Sequence, residues 1–304
     1  MLDIRPFKHF LAVVNAGSFY KASQELHLSP PALTKSINNL EEDLGVPLFE
    51  REYGRATPTA YGQVLIERAQ RILNDLDGIK GSMTQMEDLN SGELAIGAGP
   101  LTALGVVAST ITRLSNEYPK IKISLYVDNV VALADLLKVG KIEMIVGYHE
   151  EFSGEPGLKI QPLFEEPFKP ICRVGHPLQS LKNVSMKQMQ NYPWVSTFIP
   201  RKLRSLYIEH LGAGVFENQY RFQCDNFGVI FHLLRNSDYI AFVTDSMVTQ
   251  ELDMGTLAFL PSPFDIGLNS TGVISMSKRS FSPAAHHFCQ YLNDYSVDSP
   301  GCVI

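Results

Sequence analysis

The chain has 304 residues, of which 45% are hydrophobic and 19% are charged. This composition excludes a disordered chain, because there is enough apolar material to form a core, and the length suits two or more domains. Its 26 Lys and Arg residues stand against 32 Asp and Glu residues, a formal net charge of -6. Bulk charge therefore cannot hold the protein on nucleic acid, and any such binding must be local.

Residues 2–26 have the pattern of two helices. Apolar residues recur at helical spacing over residues 2–14, and the pair Gly17-Ser18 interrupts them. Ser18 is placed to cap the helix that follows, because a serine oxygen can accept a hydrogen bond from the first turn. The sequence thus predicts two short helices separated by a brief turn.

A third helix follows after a proline pair. Ser29 suits the N-cap, and Pro30 and Pro31 then fall in the first turn, where a missing N–H costs nothing. Gly45 is placed to end this helix. Two short helices joined by a tight turn, over about residues 18–37, are what a helix-turn-helix needs to lay one helix in a major groove. Periodicity alone also fits a small helical bundle that only packs.

The amino-acid residues within these helices resemble the sequence motif of one known family. Residues 10–29 read F-x-x-V-x-x-x-G-S-F-x-x-A-S-x-x-L-x-L-S, and residues 31–51 read P-A-L-T-x-x-I-x-x-L-E-x-x-L-G-x-x-L-F-x-R. Together with R-x-T-P-T-x-x-G at residues 55–62, they resemble the amino-terminal domain of LysR-type transcriptional regulators. The resemblance implies an all-α winged helix-turn-helix domain over residues 1–60. Pro30 stands where that family usually has Gln, so we expect a different operator preference.

The positions expected at double-stranded DNA carry mainly small polar or basic side chains. Side chains of the third helix are assigned to the groove, the serines before helices to caps and phosphate contacts, and the wing arginines to the DNA backbone. The acidic residues 41–43 fall at the far end of the third helix, so the basic charge is one-sided. The predicted DNA-binding residues are Ser18, Lys21, Ser29, Pro30, Pro31, Thr34, Lys35, Asn38, Arg51 and Arg55.

Residues 61–90 have the pattern of a coiled coil. Apolar residues follow alternating intervals of four and three, while charged and amide side chains fill the other faces. The pattern predicts a linker helix that pairs with a second copy of the chain, and a buried helix of a globular domain is the alternative. The heptads support a dimer, and the family resemblance implies a homotetramer. The predicted dimerisation residues are Leu65, Ala69, Ile72, Leu76, Ile79, Met83 and Met86.

Strand and helix patterns alternate beyond residue 91. Three strands and two helices over residues 93–148 give a βαβαβ order, which is typical of a mainly parallel sheet with helices on both faces. The family resemblance implies a two-lobed α/β effector domain, like a type 2 periplasmic binding protein, over residues 91–304. Lobe I would take about residues 91–161 and 265–304, and lobe II about residues 162–264.

The cleft between such lobes is the expected ligand site. Ligands of open α/β sheets bind outside the carboxyl ends of strands, where helix N-termini present free N–H groups. The residues at these strand ends mix polar groups with aromatic walls, and each could instead be an ordinary cap or loop residue. The predicted effector-binding residues are Gly99, Pro100, Leu101, Thr102, Asn129, Tyr148, Thr197, Phe198, Asn226, Phe227 and Phe264. We expect a small-molecule effector there, such as a small carboxylate.

An enzyme, or a small-molecule-binding protein on the same two-lobed scaffold, is the alternative function. Candidate catalytic groups exist, but they are scattered, and no P-loop, GxGxxG, G-x-S-x-G or H-x-x-x-H motif accompanies them. We therefore expect no enzyme and no cofactor. The candidates are Asp225, Asp245, His149, His176, His286 and His287.

The remaining features concern location and thiols. Residues 1–19 lack the pattern of a secretory signal, and no apolar run is long enough for a membrane helix. We expect a cytoplasmic protein with no membrane partner. Cys172, Cys224, Cys289 and Cys302 lack zinc-site spacing, so we expect buried thiols and no metal. The sequence as a whole predicts a sequence-specific DNA-binding transcriptional regulator that a small molecule modulates.

Overall fold

A computed structural model describes residues 3–52, 55–87, 92–212, 219–263 and 268–298. The chain forms two compact units. The first contains the described chain up to Met83, together with Lys138–Lys141, and the second contains the described remainder.

The first unit begins with three helices, α1 (Arg5–Ala16), α2 (Phe19–Glu25) and α3 (Pro30–Leu44). Gly17 and Gly45 end α1 and α3 in the left-handed conformation, which glycine adopts without steric cost. His27 between α2 and α3 is also left-handed, with φ of 53°. The Leu28 amide beside it donates to the Ser23 carbonyl at 2.9 Å. This tight turn joins α2 and α3 as a helix-turn-helix.

The two predicted caps differ. The Ser29 hydroxyl accepts a hydrogen bond from the Ala32 amide at 3.4 Å, so the cap of α3 is formed. Ser18 stands at the start of α2 with an extended backbone, but its side chain makes no capping hydrogen bond. The prediction of a Ser18 cap is wrong, because a cap also needs the side-chain oxygen turned back onto the first turn.

A hairpin and a long helix follow: β1 (Phe49–Glu52), β2 (Arg55–Pro58) and α4 (Ala60–Glu87), which belongs to the first unit up to Met83. The two strands pair antiparallel and form the wing. Phe10 of α1 and Leu33, Ile37 and Leu40 of α3 are buried together at helical spacing. This apolar core holds the buried side of α3, so that the opposite side of the helix faces solvent.

The first lobe of the second unit contains a five-stranded sheet in the order β4-β3-β5-β12-β6. Its strands are β3 (Glu93–Ala98), β4 (Lys122–Val127), β5 (Met144–Tyr148), β6 (Leu158–Pro167) and β12 (Leu268–Met276). Its helices are α5 (Pro100–Thr102), a π-helical segment (Ala103–Val107), α6 (Ala108–Glu117), α7 (Val130–Lys138), a 3₁₀ turn (His149–Phe152) and α12 (Pro283–Asp298). Leu94 and Ile96 of β3 and Phe288 of α12 are fully buried in the core between sheet and helices.

The second lobe contains a three-stranded sheet in the order β10-β7-β11 and a parallel pair, β8 and β9. Its strands are β7 (Lys169–Arg173), β8 (Trp194–Ser196), β9 (Tyr220–Gln223), β10 (Ala241–Val243) and β11 (Leu257–Phe259). Its helices are a 3₁₀ turn (Pro177–Ser180), α8 (Met186–Met189), α9 (Arg201–Leu211), α10 (Phe227–Arg235) and α11 (Asp245–Asp253). Trp194 is fully buried at the centre of this lobe.

The strand directions depart from the predicted mainly parallel sheets. β3, β4 and β5 are parallel, as the βαβαβ order indicates. β12 runs antiparallel to both β5 and β6, and β7 runs antiparallel to β10 and β11. These partners lie far apart along the chain, and the local alternation of strands and helices does not determine their direction.

The chain passes between the lobes at Phe168. β6 pairs with β12 of the first sheet up to Pro167, and β7 of the second sheet begins at Lys169. The passage thus lies further along the chain than the predicted boundary after residue 161, because β6 continues as a full-length strand of the first sheet. The Glu166 carboxylate here accepts hydrogen bonds from the Ser246 amide and hydroxyl at 3.2 and 2.7 Å. This contact links β6 of one lobe to α11 of the other.

The cysteines agree in part with the expectation of buried thiols. Cys172 and Cys289 are buried and free, and burial raises the pKa of each thiol to about 12. Cys224 is free but only half-buried, and Cys302 lies outside the described residues. No helix in the described part of the chain is long and apolar enough to span a bilayer.

Candidate functional site

The exposed face of α3 brings the predicted groove residues together. Pro30, Pro31, Thr34, Lys35 and Asn38 line one open surface, which Asn39 and Glu42 also border. Residues three or four apart share a face of a helix, so these side chains point the same way. A helix with short polar and basic side chains on its solvent side can enter a major groove and reach base edges.

Two contacts hold α3 against its neighbours. The His9 Nδ1 of α1 lies 2.8 Å from the Ser36 hydroxyl of α3, and burial lowers the pKa of His9. The Glu41 carboxylate accepts hydrogen bonds from the Leu48 and Phe49 amides at 2.7 and 3.2 Å, which ties α3 to the start of the wing. The sequence indicates Glu41 only as an acidic residue at the far end of the helix, because its partners are backbone groups that no side-chain pattern reveals.

The basic residues are distributed over three elements. Lys21 of α2, Lys35 of α3 and Arg55 of β2 are exposed. Arg51 lies on β1, but its side chain is outside the described part of the chain. In β2 the buried Ala56 alternates with outward-facing neighbours, because successive strand residues point to opposite faces. Arg55 therefore presents its charge to solvent at the wing.

Most apolar residues in the described part of α4 divide into two stripes, and Leu76 is half-buried and belongs to neither. Four of them pack on the core of their own domain: Leu65, Ile66, Ala69 and Leu73. Four others are exposed: Tyr61, Val64, Ile72 and Ile79. The first stripe fixes the helix to its domain, and the second leaves apolar surface in solvent.

This division corrects the predicted dimerisation seam. Ala69 is fully buried within its own domain, so it has no surface left for a partner. Leu65 is half-buried against the same core, whereas Ile72 and Ile79 remain 39% and 55% exposed. The side chains of Met83 and Met86 lie outside the described part of the chain. Heptad spacing could not reveal the difference, because the intradomain contacts of α4 repeat at the same helical interval.

A small cavity, lined by mainly apolar residues and by three that carry hydroxyl groups, lies beneath the cleft of the second unit. It has a volume of about 20 Å³. Among the described residues that line it, none carries a charge. The lining residues are Leu101, Val195, Ser196, Thr197, Ile199, Leu203, Tyr207, Phe227, Ile230, Ala241, Phe242 and Val243.

The cavity brings together Leu101, Thr197 and Phe227 from the predicted effector residues. Thr102, another predicted effector residue, has a hydroxyl proton that is already engaged within the protein. It is only 6% exposed, and its hydroxyl lies 2.7 Å from the Val146 carbonyl as donor. A hydroxyl has one proton, and this internal bond occupies it.

Two predicted polar groups are helix caps. The Asn129 side-chain oxygen accepts from the Ala132 amide at 2.9 Å and so caps α7. The Asn226 oxygen accepts from the Val229 amide at 3.3 Å and caps α10. These two oxygens therefore have the ordinary structural role of helix caps, which was the alternative to effector binding.

The other predicted effector residues vary in exposure. Gly99 is buried, Pro100 is half-buried and Phe198 is exposed. Tyr148 is buried, which raises the pKa of its phenol to about 12. Phe264 lies outside the described residues.

Contacts across the cleft close it. Leu101 and Tyr148 of the first lobe pack against the apolar core of the second lobe. At the start of α9, the Lys202 amide donates to the Glu151 carboxylate at 2.9 Å, and the Lys202 ammonium donates to the Glu150 carbonyl at 2.5 Å. A ligand that enters between the lobes must therefore replace contacts that already exist.

The candidate catalytic groups are engaged separately. Asp225 accepts from the Phe198 amide at 2.8 Å, Asp245 pairs with Lys169 at 2.6 Å, and the His287 ring lies 5.2 Å from that of Tyr118. In the part of the chain that the structure describes, no three His, Cys, Asp or Glu residues are grouped to hold a metal ion. The geometry provides no assembled acid–base site among these groups.

The fold and these surfaces define a class of protein: a winged helix-turn-helix DNA-binding domain joined to a two-lobed α/β ligand-binding domain. Residues 4–63 match the family described as "Bacterial regulatory helix-turn-helix protein, lysR family". Residues 87–296 match "LysR substrate binding domain". The chain belongs to the LysR family of transcriptional regulators, and it combines a DNA-binding domain with an effector-binding domain.

Two relatives of similar length are named as transcriptional activators or regulators. The chain is 29% identical to the "SDS degradation transcriptional activation protein" of a Pseudomonas species, with 99% of this chain and 98% of that protein covered. It is 28% identical to the "Uncharacterized HTH-type transcriptional regulator YdcI" of Escherichia coli, with 92% of each covered. The family is one of transcriptional regulators, which are not enzymes.

Solved structures share the fold. The crystal structure of CbnR, a LysR family transcriptional regulator, matches with a TM-score of 0.66 at 21% identity, over 97% of this chain and 99% of that one. A single-residue variant of full-length OxyR from Pseudomonas aeruginosa matches with a TM-score of 0.64 at 17% identity, over 99% and 97%. A further match, with a TM-score of 0.66 at 21% identity over 96% and 99%, is full-length CbnR complexed with its target DNA.

Proposed function

We propose that the α3 face and the wing bind operator DNA directly. Thr34 and Asn38 would reach the bases, and Lys21, Lys35 and Arg55 would contact the phosphates. The observation that carries this proposal is the shared open surface of α3, on which the predicted groove residues lie together. Pro30, which begins this surface, supports an operator preference unlike that of relatives with Gln at the position.

The salt dependence of DNA binding tests this face. Lys35→Ala and Arg55→Ala should each weaken binding to specific and nonspecific duplexes alike. Each should also lower the slope of log K against log salt by about one unit, because each removes one phosphate contact. Fluorescence anisotropy on an operator duplex and a scrambled duplex measures both quantities.

Lys182→Ala is the matched control, because Lys182 is an exposed lysine of the second unit. Its slope should equal that of the unsubstituted protein. Unchanged slopes for both Lys35→Ala and Arg55→Ala would reject the α3 face and wing as the DNA interface.

We propose that the domains follow residues 1–60, 61–90 and 91–304, and that a homo-oligomer, either a dimer or a tetramer, binds two half-sites. The exposed apolar stripe of α4 supports pairing.

We propose further that the protein works in the cytoplasm, where its duplex DNA partner would be, and that it catalyses no reaction. The dispersed placement of its candidate catalytic groups supports this last point.

We also propose that a small molecule bound between the lobes changes how the oligomer holds DNA. A ligand can shift such a balance only by its differential affinity for the two arrangements, typically about 1 to 3 kcal/mol. Footprinting on DNA upstream of the protein's own gene, with and without added metabolites, tests the proposal. A footprint that lengthens or shortens with a metabolite supports it, whereas turnover of that metabolite without DNA protection would favour an enzyme.

A further inference from the structure

We propose that the effector carries an apolar group, alkyl or aryl, which enters the cavity beneath β8 and takes the place of the Leu101 side chain. This inference rests on the proposed function, since it assigns the cavity to the effector. It adds to the expected small-molecule effector the requirement of an apolar arm, whether or not the molecule is a carboxylate.

The lining sets the chemistry of the group that enters. Leu203 of α9, Ile230 of α10 and Phe242 of β10 form apolar walls, and all three are buried. An unpaired charge in such a site would lose its hydration without a compensating partner. Thr197 and Ser196 supply hydroxyls at the lining. A polar head would therefore stay beside these hydroxyls while an apolar arm occupies the interior.

The size of the cavity indicates that a side chain must move. Its volume of about 20 Å³ corresponds to roughly one water molecule. An alkyl or aryl arm needs several times more space. The lining residues other than Leu101 belong to the second lobe, whereas Leu101 enters from the first lobe. A movement of the first lobe relative to the second therefore enlarges the cavity by withdrawing Leu101.

The segment that carries Leu101 is suited to such a change. Leu101 packs against both apolar clusters of the second lobe but is itself only half-buried. It lies in α5, and a π-helical segment follows directly at Ala103–Val107. π-helical turns are rare, and they occur frequently at functional sites. Gly105 of this π-helical segment packs closely on Ser246 of α11, where a Cβ atom would lie 2.9 Å from the Ser246 carbonyl oxygen. The withdrawal of Leu101 would therefore also separate Gly105 from Ser246.

Replacing Leu101 would couple ligand binding to the lobe arrangement. The effector's arm would keep the second-lobe core filled, while the contact that Leu101 makes across the cleft would be lost. The contacts of Lys202 with Glu150 and Glu151 would then hold the two lobes together without the contribution of Leu101. The apolar arm of the effector thus competes with Leu101 of the first lobe for the cavity in the second lobe.

A homologous ligand series tests this. Isothermal titration calorimetry of the full-length protein would use n-alkanoates of four to ten carbons and the matching n-alkanols, all below their micelle concentrations. We expect affinity to rise about fourfold per methylene, which corresponds to about 0.8 kcal/mol, in both series until the cavity is full. Affinity that does not depend on chain length, or that follows the carboxylate and not the chain, would overturn the proposal.

Two variants on one segment assign the effect to Leu101. Leu101→Ala should bind the longest chains about tenfold more tightly, because no side chain has to be displaced. Leu104→Ala is the matched control: Leu104 is exposed, lies in the same helical stretch and does not line the cavity. Equal effects of the two substitutions would contradict the proposal.

A third variant fills the cavity. Ile230→Trp should abolish the chain-length dependence, and circular dichroism checks that it folds. Should it not fold, the comparison of Leu101→Ala with Leu104→Ala decides alone. DNA binding is measured on the same preparations: DNA binding without alkyl binding overturns this inference alone, and alkyl binding without DNA binding overturns the proposed DNA-binding function alone.

Discussion

The imidazole of His176 is held by two backbone groups. Its Nδ1 accepts a hydrogen bond from the Leu178 amide at 3.1 Å, so its Nε2 must carry the proton, 3.3 Å from the Asp238 carbonyl. The side chain is buried, and desolvation lowers the pKa of His176 despite the nearby Asp238 carboxylate. A histidine that the sequence offered as a catalytic candidate is thus the neutral N-cap of a 3₁₀ turn.

His176→Phe should lower the free energy of unfolding at pH 7.5 by about 1 to 3 kcal/mol, because a buried donor and a buried acceptor lose their partner. The unsubstituted protein should also lose stability as the pH falls below about 6.5, since the unfolded histidine binds a proton more readily than the folded one. The variant should lack this component. Urea unfolding from pH 5 to 8 measures both effects.

His232→Gln is the control for that measurement, because His232 is exposed. It should leave the pH dependence unchanged. A slope below pH 6.5 that is no smaller in His176→Phe than in the unsubstituted protein would show that other groups cause it.

At the scale of elements, the packing of α4 against the wing outweighs helix propensity at one position of the helix. Gly62 lies in the first turns of this helix, where alanine is favoured over glycine by about 1 kcal/mol. A Cβ atom at Gly62 would nevertheless lie 2.3 Å from the Leu48 carbonyl oxygen, which belongs to the segment that enters the wing. The close approach of helix and wing therefore requires glycine here.

Gly62→Ala should destabilise the first unit by about 1 to 3 kcal/mol despite its better helix propensity, because the backbone of Leu48 has to shift. Thermal unfolding followed by circular dichroism measures this. Gln63→Ala changes the exposed neighbouring residue of the same helix and should stay within about 0.5 kcal/mol of the unsubstituted protein. A stabilised Gly62→Ala variant would show that the wing does not approach α4 so closely.

For the whole molecule, the exposed stripe of α4 is the surface that an assembly would cover. Tyr61, Ile72 and Ile79 lie within about 20° of one line along the helix, and Val64 lies to one side of it. Exposed apolar residues that continue along one line of a helix are typical of a pairing surface. The stripe differs from the predicted seam by including Tyr61 and Val64 and by losing Leu65 and Ala69 to the core.

Ile72→Glu and Ile79→Glu should shift the assembly towards monomers, because each would place an unpaired carboxylate in an apolar contact. Analytical ultracentrifugation should show the change, and affinity for a duplex with two half-sites should fall more than affinity for one half-site. Gln63→Glu adds the same charge on the opposite side of the helix and should change neither quantity. An unchanged sedimentation coefficient for both isoleucine variants would exclude this stripe from the interface.

Much of this protein follows from local sequence. The spacing of apolar residues, the glycines that end helices and the proline pair after Ser29 predict the helix-turn-helix, because these signals act within a few turns of chain. The letters of the first sixty residues predict the LysR family, and the family match confirms it. The groove face of α3 also follows, since helical periodicity alone places Thr34, Lys35 and Asn38 on one side.

The tertiary structure decided the features that depend on distant partners. The antiparallel direction of β12, the burial of Ala69, the internal bond of Thr102 and the insertion of Leu101 into the second lobe all arise from residues remote in sequence. A side chain's type and spacing specify what it can bond, but its partner depends on which surfaces the folded chain brings within a few ångströms. For that reason the sequence determined the class of protein and its DNA-facing helix, and only the packed structure determined which cleft residues remain available to a ligand.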